Sequence, residues 1–131
     1  MLYDLCVCAY MCVLFILLSF LSSTRKSVFF TATTGVASLI LDKKKGMTLH
    51  SFLGCGDLHL PPYKLKEFLT TKETYHNVYQ RLLMADVIGI DEVSMLSSYV
   101  LTVFHQLAQH VRNNTKPFGG IQVNARFLPP R

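Results

Sequence analysis

Two adjacent carboxylates, Asp91 and Glu92, directly follow the apolar run at residues 87–90. A run of Val and Ile is typical of a strand that is covered on both faces in a parallel sheet. Carboxylates beside such a core are costly unless they are paired or have a chemical role. A strand end that carries Asp and Glu suits Mg²⁺ binding and the polarisation of a water in nucleotide hydrolases. The alternative is a strand that ends in a solvated acidic turn, and so short a motif does not decide between the two.

Hydroxyl groups and glycine follow another expected strand and open a further element. Residues 27–32 have the aromatic and β-branched composition of a buried strand. Residues 33–35, Thr-Thr-Gly, then form a turn into a short helical pattern over residues 36–41, and residues 48–52 begin the next element. Backbone N–H groups and hydroxyls at such a turn can hold phosphate. The alternative is simple turn chemistry, in which Gly35 supplies only its backbone dihedral angles.

The remaining elements alternate in a way that defines a fold class. Helical patterns around residues 64–70 and 74–84 precede the Asp-Glu strand. Ser97 or Ser98 then caps a helix. The apolar positions of that helix share one face; they are Leu101, Phe104, Leu107, Ala108 and Val111. A turn over residues 117–120 leads into one more strand. This alternation predicts an α/β fold with a parallel sheet flanked by helices.

Composition limits the classes of protein that the chain can belong to. Its 131 residues, 50% of them hydrophobic, suffice for about one domain with a sizeable core. The net charge of +5 is compatible with a polyanionic partner without establishing one. The four cysteines favour reduced, structural thiols of an intracellular protein over a disulfide framework or a zinc site. The histidines show no metal-binding spacing, since His105 and His110 fall on different sides of a helix.

Residues 1–26 form an atypical hydrophobic segment that differs from residues 27–131 in composition. No charged residue occurs from residue 5 to residue 21, and about 17 apolar residues is the lower limit for crossing a bilayer. Arg25 and Lys26 follow the run, which argues against a secretory signal and allows a signal anchor. Three interpretations stay open: a marginal membrane anchor, a buried apolar helix, or a gene-model artefact foreign to the original protein.

In order and approximate spacing, segments of the chain resemble the motifs of the PIF-type (petite integration frequency) DNA helicases. Residues 30–38, F-T-A-T-T-G-V-A-S, resemble motif Ia, T-A-x-T-G-x-A-A. Residues 48–56 resemble the family's T-L-H-S-F-x-G-x-G segment, and residues 90–96 are similar to its Walker B motif, I-D-E-[IV]-S-M. Residues 117–122 match the run before motif III. The resemblance extends over about residues 27–123.

The resemblance implies an ATP-driven helicase of the RecD-like group that moves 5′ to 3′ on single-stranded DNA. Residues 27–131 would be an incomplete RecA-like P-loop NTPase lobe, preceded by an apolar N-terminal helix. Asp91 would hold hydrated Mg²⁺ and Glu92 would orient or deprotonate the attacking water. Adjacent strand residues point to different sides, which would separate these two roles. The residues implied in DNA contact are Thr31, Thr33, Thr34, Gly35, Thr48, His50, Ser51 and Phe52.

The resemblance also implies partners and places of action. Single-stranded DNA and ATP are the expected partners, and Mg²⁺ is the expected cofactor. In a eukaryote the expected location is the nucleus or mitochondrion, with roles in DNA repair, recombination or telomere maintenance. Membrane association is expected only if the amino-terminal segment is genuine.

The sequence departs from the family pattern at both ends. Within its 131 residues it has no phosphate-binding loop G-x-x-x-x-G-K-[ST], and Lys26 and Ser27 match only the last two letters. Residues 124–130 resemble the end of motif III but lack its Gly-Asp and its sensor glutamine, which Gln122 does not replace. The second lobe, with its arginine finger, is also missing. We therefore expect a truncated or mis-spliced gene model, or a degenerate copy.

These departures set what the free chain is expected to do. We expect it neither to hydrolyse ATP efficiently nor to unwind DNA by itself. A non-catalytic remnant that binds single-stranded DNA is one alternative function. A small membrane-anchored protein is the other.

Overall fold

The computed structural model describes residues 26–35, 47–54 and 61–125. The strands in these ranges are β1 (Val28–Ala32), β2 (Met47–Thr48), β3 (Val87–Asp91) and β4 (Gln122–Ala125). The helices are α1 (Leu49–Leu53), α2 (Pro62–Thr71), α3 (His76–Met84) and α4 (Ser98–Arg112). Short 3₁₀ turns occur at Glu73–Tyr75, Val93–Met95 and Pro117–Gly120. The strands form one parallel sheet in the order β2-β1-β3-β4, so the predicted α/β fold is confirmed.

Some expectations fall on residues outside the described ranges. They are the apolar segment at residues 5–21, the helical pattern at residues 36–41, and the end of the motif III tail from residue 126 onwards. Among the residues that the structure does describe, no helix combines the length and the apolar character needed to cross a membrane.

Strand β3 lies inside the described sheet and is the most buried strand. Val87, Ile88 and Ile90 are at most 1% exposed to solvent, as expected for a strand with neighbours on both edges and helices against the sheet. Strand β1 pairs with β3 along its full length, with Val28 opposite Val87 and Ala32 opposite Asp91. The carboxyl ends of β1 and β3 therefore lie side by side at one edge of the sheet.

Helix α4 buries its apolar face in the core, against α2, α3 and the turn Pro117–Gly120. The Ser97 hydroxyl caps the helix by accepting the Val100 N–H at 3.3 Å, which resolves the choice between Ser97 and Ser98. The predicted face is confirmed at four positions that are buried, namely Phe104, Leu107, Ala108 and Val111. Leu101 is only half-buried, and Val100 and Val103 complete the buried face in its place.

Arg112, at the end of α4, fastens three segments of the backbone together. Its Nη1 donates to the carbonyl oxygens of Leu82 at 3.2 Å, Leu83 at 3.0 Å and Ala85 at 2.7 Å. Its Nε donates to the carbonyl of Gly119 at 2.9 Å. The planar guanidinium suits such convergent acceptors. Arg112 thus closes the end of α3 just before β3 and holds the turn that leads to β4.

Replacing Arg112 is expected to destabilise the fold. Arg112→Met keeps most of the apolar stem but leaves several carbonyls without a charged donor, so we expect the free energy of unfolding to fall by about 2–4 kcal/mol. Lys116→Met removes the same charge from an exposed position and is the control, with an expected change within about 0.5 kcal/mol. Urea unfolding followed by circular dichroism measures both. Equal stability of the two variants would contradict this role of Arg112.

The turn Pro117–Gly120 contains three successive residues with positive φ, namely Phe118 at 51°, Gly119 at 61° and Gly120 at 82°. Gly119 packs directly on α4. A Cβ atom there would lie 2.5 Å from the carbonyl oxygen of Ala108, which cannot move without shifting the helix. A Cβ atom at Gly120 would meet only the flexible side chain of Asn114, at 2.9 Å.

This contrast predicts different effects of two alanine substitutions. Gly120→Ala pays for the left-handed conformation, at a cost of about 1 kcal/mol. Gly119→Ala adds a clash with backbone, so we expect it to lower the free energy of unfolding by at least about 2 kcal/mol more than Gly120→Ala. Thermal and urea unfolding of the two variants measure the difference. Identical losses would show that the turn can move away from α4.

Candidate active site at the carboxyl edge of the sheet

The carboxyl ends of β1 and β3 form a topological switch point. After β1 the chain continues to β2 on one side, and after β3 it continues to β4 on the other side. Connections that diverge in this way open a crevice outside the strand ends, where ligands of α/β proteins bind. The turn at residues 33–35 and the pair Asp91 and Glu92 both lie there.

Glu92 has an unusual backbone conformation, and both its N–H and its carbonyl oxygen are hydrogen-bonded. Its φ of 57° and ψ of 45° lie in the left-handed region, which costs a non-glycine residue about 1–2 kcal/mol. Its N–H donates to Asp91 Oδ1 at 3.1 Å. Its carbonyl oxygen accepts from the N–H of Met95 at 3.0 Å and from Thr33 Oγ1 at 3.2 Å. Strained residues held in this way are typical of functional sites.

The different positions of Asp91 and Glu92 result from the turn that begins at Glu92, and not from the alternation of side chains along a strand. Asp91 is the last residue of β3, whereas Glu92 has already left the strand in the left-handed conformation. The expectation that strand geometry points them to different sides is therefore corrected, because Glu92 is not extended. Both residues are half-buried at the sheet edge.

The donor groups at this edge fit a magnesium ion that arrives with a nucleotide. Among the described residues there is no cluster of three or more His, Cys, Asp or Glu side chains. Mg²⁺ in phosphoryl-transfer sites needs only one or two carboxylates, since waters and substrate phosphates supply its other oxygen ligands. Asp91 with Glu92 beside it meets that requirement, whereas a metal cage built wholly from protein groups does not fit here.

Two of the residues expected to contact DNA lie in the core. Thr31 is fully buried, and its hydroxyl donates to the carbonyl of Gly89 on β3 at 3.0 Å. Phe52 is also fully buried and packs edge-on against Phe29, with ring centroids 5.2 Å apart. Their burial leaves neither side chain a surface for DNA, so we assign Thr31 and Phe52 to packing. Thr31 joins β1 to β3, and Phe52 anchors α1.

The other residues of that set lie at or near the surface. The Thr48 hydroxyl caps α1 by accepting the Ser51 N–H at 3.1 Å, and it donates to Ser51 Oγ at 2.9 Å. Ser51 and Gly35 are exposed, and the half-buried positions are Thr33, Thr34, Thr48 and His50. Since Ala32 pairs with both Asp91 and Thr48, these residues share one sheet edge with the carboxylates.

Arg81 is a residue that the motifs did not single out. Its Nη2 donates to the carbonyl oxygens of Ser51 at 3.0 Å and Phe52 at 3.2 Å, and the guanidinium lies 5.7 Å from the Phe52 ring. Burial lowers the pKa of Arg81 from its ordinary value. Arg81 closes the end of α1 and so positions His50 and Ser51. Nothing in the sequence pattern links residues 30 positions apart, so sequence reasoning had no signal for it.

Comparison with known proteins gives consistent results. The sequence model of the PIF1-like helicase family matches residues 10–125, which include part of the amino-terminal segment 1–26. The chain is 40% identical over 101 residues to the ATP-dependent DNA helicase PIF7 of Trypanosoma brucei brucei. That alignment covers 74% of this chain and 10% of the relative.

Solved structures extend the comparison to the fold. The crystal structure of the Pif1 helicase from Candida albicans matches with a TM-score of 0.73 and 32% identity, over 88% of this chain and 26% of that chain. A Bacteroides Pif1 helicase in complex with ADP-AlF3 and ssDNA matches with a TM-score of 0.61 and 30% identity, over 81% and 24%. The chain thus spans about a tenth of the relative and about a quarter of each solved chain. On the combined strength of its motifs, its sheet and these matches, the chain belongs to the PIF1-like helicase family, whose members include ATP-dependent DNA helicases, and carries part of their RecA-like lobe.

Proposed function

We propose that this chain supplies the catalytic edge of the first motor lobe of an ATP-dependent DNA helicase that moves 5′ to 3′ on single-stranded DNA. One observation carries the proposal: Asp91 and Glu92 lie at the switch point beside the turn at residues 33–35. Carboxylates suited to nucleotide hydrolysis and a turn suited to phosphate therefore meet at one sheet edge.

The site residues have distinct proposed roles in hydrolysis. Asp91 would hold the hydration shell of Mg²⁺. The ion, when bound, supplies charge neutralisation at the β- and γ-phosphates. Glu92 would orient the attacking water and accept its proton. The hydrogen bonds on both sides of Glu92 support this role, because they hold the backbone that carries the carboxylate.

The proposed DNA contacts are made by surface residues of the turn at residues 33–35 and of helix α1. The hydroxyls of Thr33 and Thr34, the backbone N–H of Gly35, and the side chains of His50 and Ser51 can donate to phosphate oxygens. Such contacts position a strand without reading its sequence. The ADP-AlF3 and ssDNA of the Bacteroides Pif1 structure support both ligand classes for this lobe, and the net charge of +5 suits a polyanion.

We further propose that a eukaryotic chain of this kind acts in the nucleus or mitochondrion, in DNA repair, recombination or telomere maintenance. The support is family membership and the eukaryotic sources of two of the similar proteins, Trypanosoma brucei brucei and Candida albicans.

A segment exchange tests the catalytic roles. The 131 residues contain no phosphate-binding loop, so residues 26–125 should replace the matching segment of the Candida albicans helicase. We expect DNA-stimulated ATP hydrolysis by the chimera. Loss of the general base in Glu92→Gln should lower kcat by about 10²- to 10⁴-fold with little change in KM. Asp91→Asn should raise the Mg²⁺ concentration needed for half-maximal turnover.

The control for this experiment is Glu73→Gln, which neutralises an exposed carboxylate in the turn before α3. It should leave kcat and KM unchanged. Undiminished turnover by the Glu92→Gln chimera would contradict the role of Glu92. Robust DNA-stimulated hydrolysis by the free 131-residue chain, abolished by Glu92→Gln, would contradict the expectation that the free chain is inactive.

A second candidate function is a non-catalytic module that binds single-stranded DNA, supported by the exposed and half-buried polar residues at the sheet edge. That function predicts binding to a fluorescent oligodeoxythymidine that does not change when ATP and Mg²⁺ are added. A nucleotide-hydrolysing lobe predicts instead that nucleotide alters the affinity, because both ligands meet at one sheet edge.

A histidine pair tests the DNA contact in the free chain under either function. Losing one hydrogen bond to phosphate, worth about 1 kcal/mol, should make His50→Ala bind the oligodeoxythymidine about fivefold more weakly. His76→Ala, at an exposed position at the start of α3, should bind like the unmodified chain. Fluorescence anisotropy measures both affinities. Equal affinities of the two variants would contradict a specific contact between His50 and DNA.

A further inference from the structure

The Thr33 hydroxyl faces two competing acceptors if DNA occupies the turn. In this structure Thr33 Oγ1 donates to the carbonyl oxygen of Glu92 at 3.2 Å. The proposed function also assigns the hydroxyls of this turn to DNA phosphate. A hydroxyl has a single O–H to donate, and both a carbonyl and a phosphate only accept. The Thr33 side chain therefore donates either to Glu92 or to DNA, and never fully to both.

We propose that Thr33 is a positioning residue that transfers its hydrogen bond from the Glu92 carbonyl to a DNA phosphate, so that bound DNA changes the backbone conformation of the catalytic glutamate. This inference rests on the proposed function and adds a route by which bound DNA acts on the residue proposed as the general base. The route is one hydrogen bond long, because Thr33 and Glu92 directly follow the paired residues Ala32 and Asp91.

The chemistry of the two acceptors favours the transfer. A hydroxyl donates to an anionic oxygen about twice as strongly as to a neutral one, and at shorter distance. The bond from Thr33 to Glu92, at 3.2 Å, is longer than the roughly 2.5–3.0 Å typical of O–H···O bonds. Thr33 is half-buried, so part of it is accessible to solvent in the described structure. A phosphate at this turn therefore competes with a weak bond.

Because Glu92 has a strained backbone conformation, transfer of the Thr33 hydrogen bond would change that conformation. Its carbonyl accepts from Thr33 and from the N–H of Met95, and without Thr33 only the Met95 bond holds it. A glutamate with φ of 57° is in a sparsely populated region. Releasing one of the two hydrogen bonds to its carbonyl shifts the Glu92 backbone toward commoner dihedral angles, and the carboxylate moves with it, while the N–H stays bonded to Asp91 Oδ1. The paired strands need not move, because both residues lie beyond the last pair.

Nuclear magnetic resonance of the complete 131-residue chain tests the transfer directly. The signals of the Glu92 carbonyl carbon and the Met95 amide report the state of the bond while single-stranded oligodeoxythymidine is added to saturation. We expect both signals to shift with DNA in the unmodified chain. In Thr33→Val this DNA-dependent shift is lost, and the Glu92 signal already lies displaced toward its DNA-bound position. Thr33→Ser keeps the hydroxyl and should restore the shift.

Thr102→Val is the matched control. The Thr102 hydroxyl also donates to a backbone carbonyl, that of Ser98 at 2.9 Å, on the exposed face of α4. Its removal should leave the DNA response of Glu92 intact.

Three outcomes would overturn the inference, and they separate it from the proposed function. If Thr33→Val binds DNA and Glu92 still shifts as in the unmodified chain, Thr33 does not carry the coupling, and the proposed function stands. If the unmodified chain binds DNA while Glu92 stays unmoved, the coupling is absent whether or not the variant folds. If the unmodified chain does not bind DNA at all, the proposed DNA contact fails, and the transfer fails with it.

Discussion

The pairing of β1 with β3 is the constraint on which the rest of the site depends. It is fastened at its beginning, where the Asp86 N–H donates to the Ser27 carbonyl and the Ser27 N–H donates to Asp86 Oδ2, each at 2.9 Å. It is fastened again inside the sheet, where the Thr31 hydroxyl meets the Gly89 carbonyl. A slip of one residue would move every side chain to the opposite face of the sheet. The register of β1 against β3 therefore determines that the turn at residues 33–35 lies beside Asp91 and Glu92.

Two arginines on the helices hold the ends of neighbouring elements. Arg81, on α3, holds the end of α1 through the carbonyls of Ser51 and Phe52. Arg112, on α4, holds the end of α3 and the turn before β4. Both guanidiniums donate to carbonyls near the end of a helix, where partners within the helix run out. These two cations therefore have a structural role, because their donors are directed at backbone carbonyls.

The elements of the fold could be predicted from local patterns, and the conformation of the site could not. Two patterns can be recognised in a single sequence. They are the continuous apolar run before Asp91 and the helical spacing of apolar residues around Phe104 and Leu107. Thr31 and Phe52 lie in the same sequence motifs as residues that are exposed. Only the three-dimensional packing shows that these two are buried. The left-handed conformation of Glu92 escapes residue-based rules, because those rules reserve positive φ mainly for glycine and asparagine.

The separation of β1 and β3 along the chain has a consequence during protein synthesis. Equivalent residues of the two strands lie 59 positions apart, as Thr33 and Glu92 do, and β2 offers β1 only two residue pairs in the meantime. At about 5–20 residues per second, a ribosome needs roughly 3–12 s to add the intervening chain. Throughout that interval the apolar Val28, Phe29 and Phe30 of β1 lack their main partner. The nascent chain therefore passes through a period in which this strand is exposed to aggregation and to chaperones.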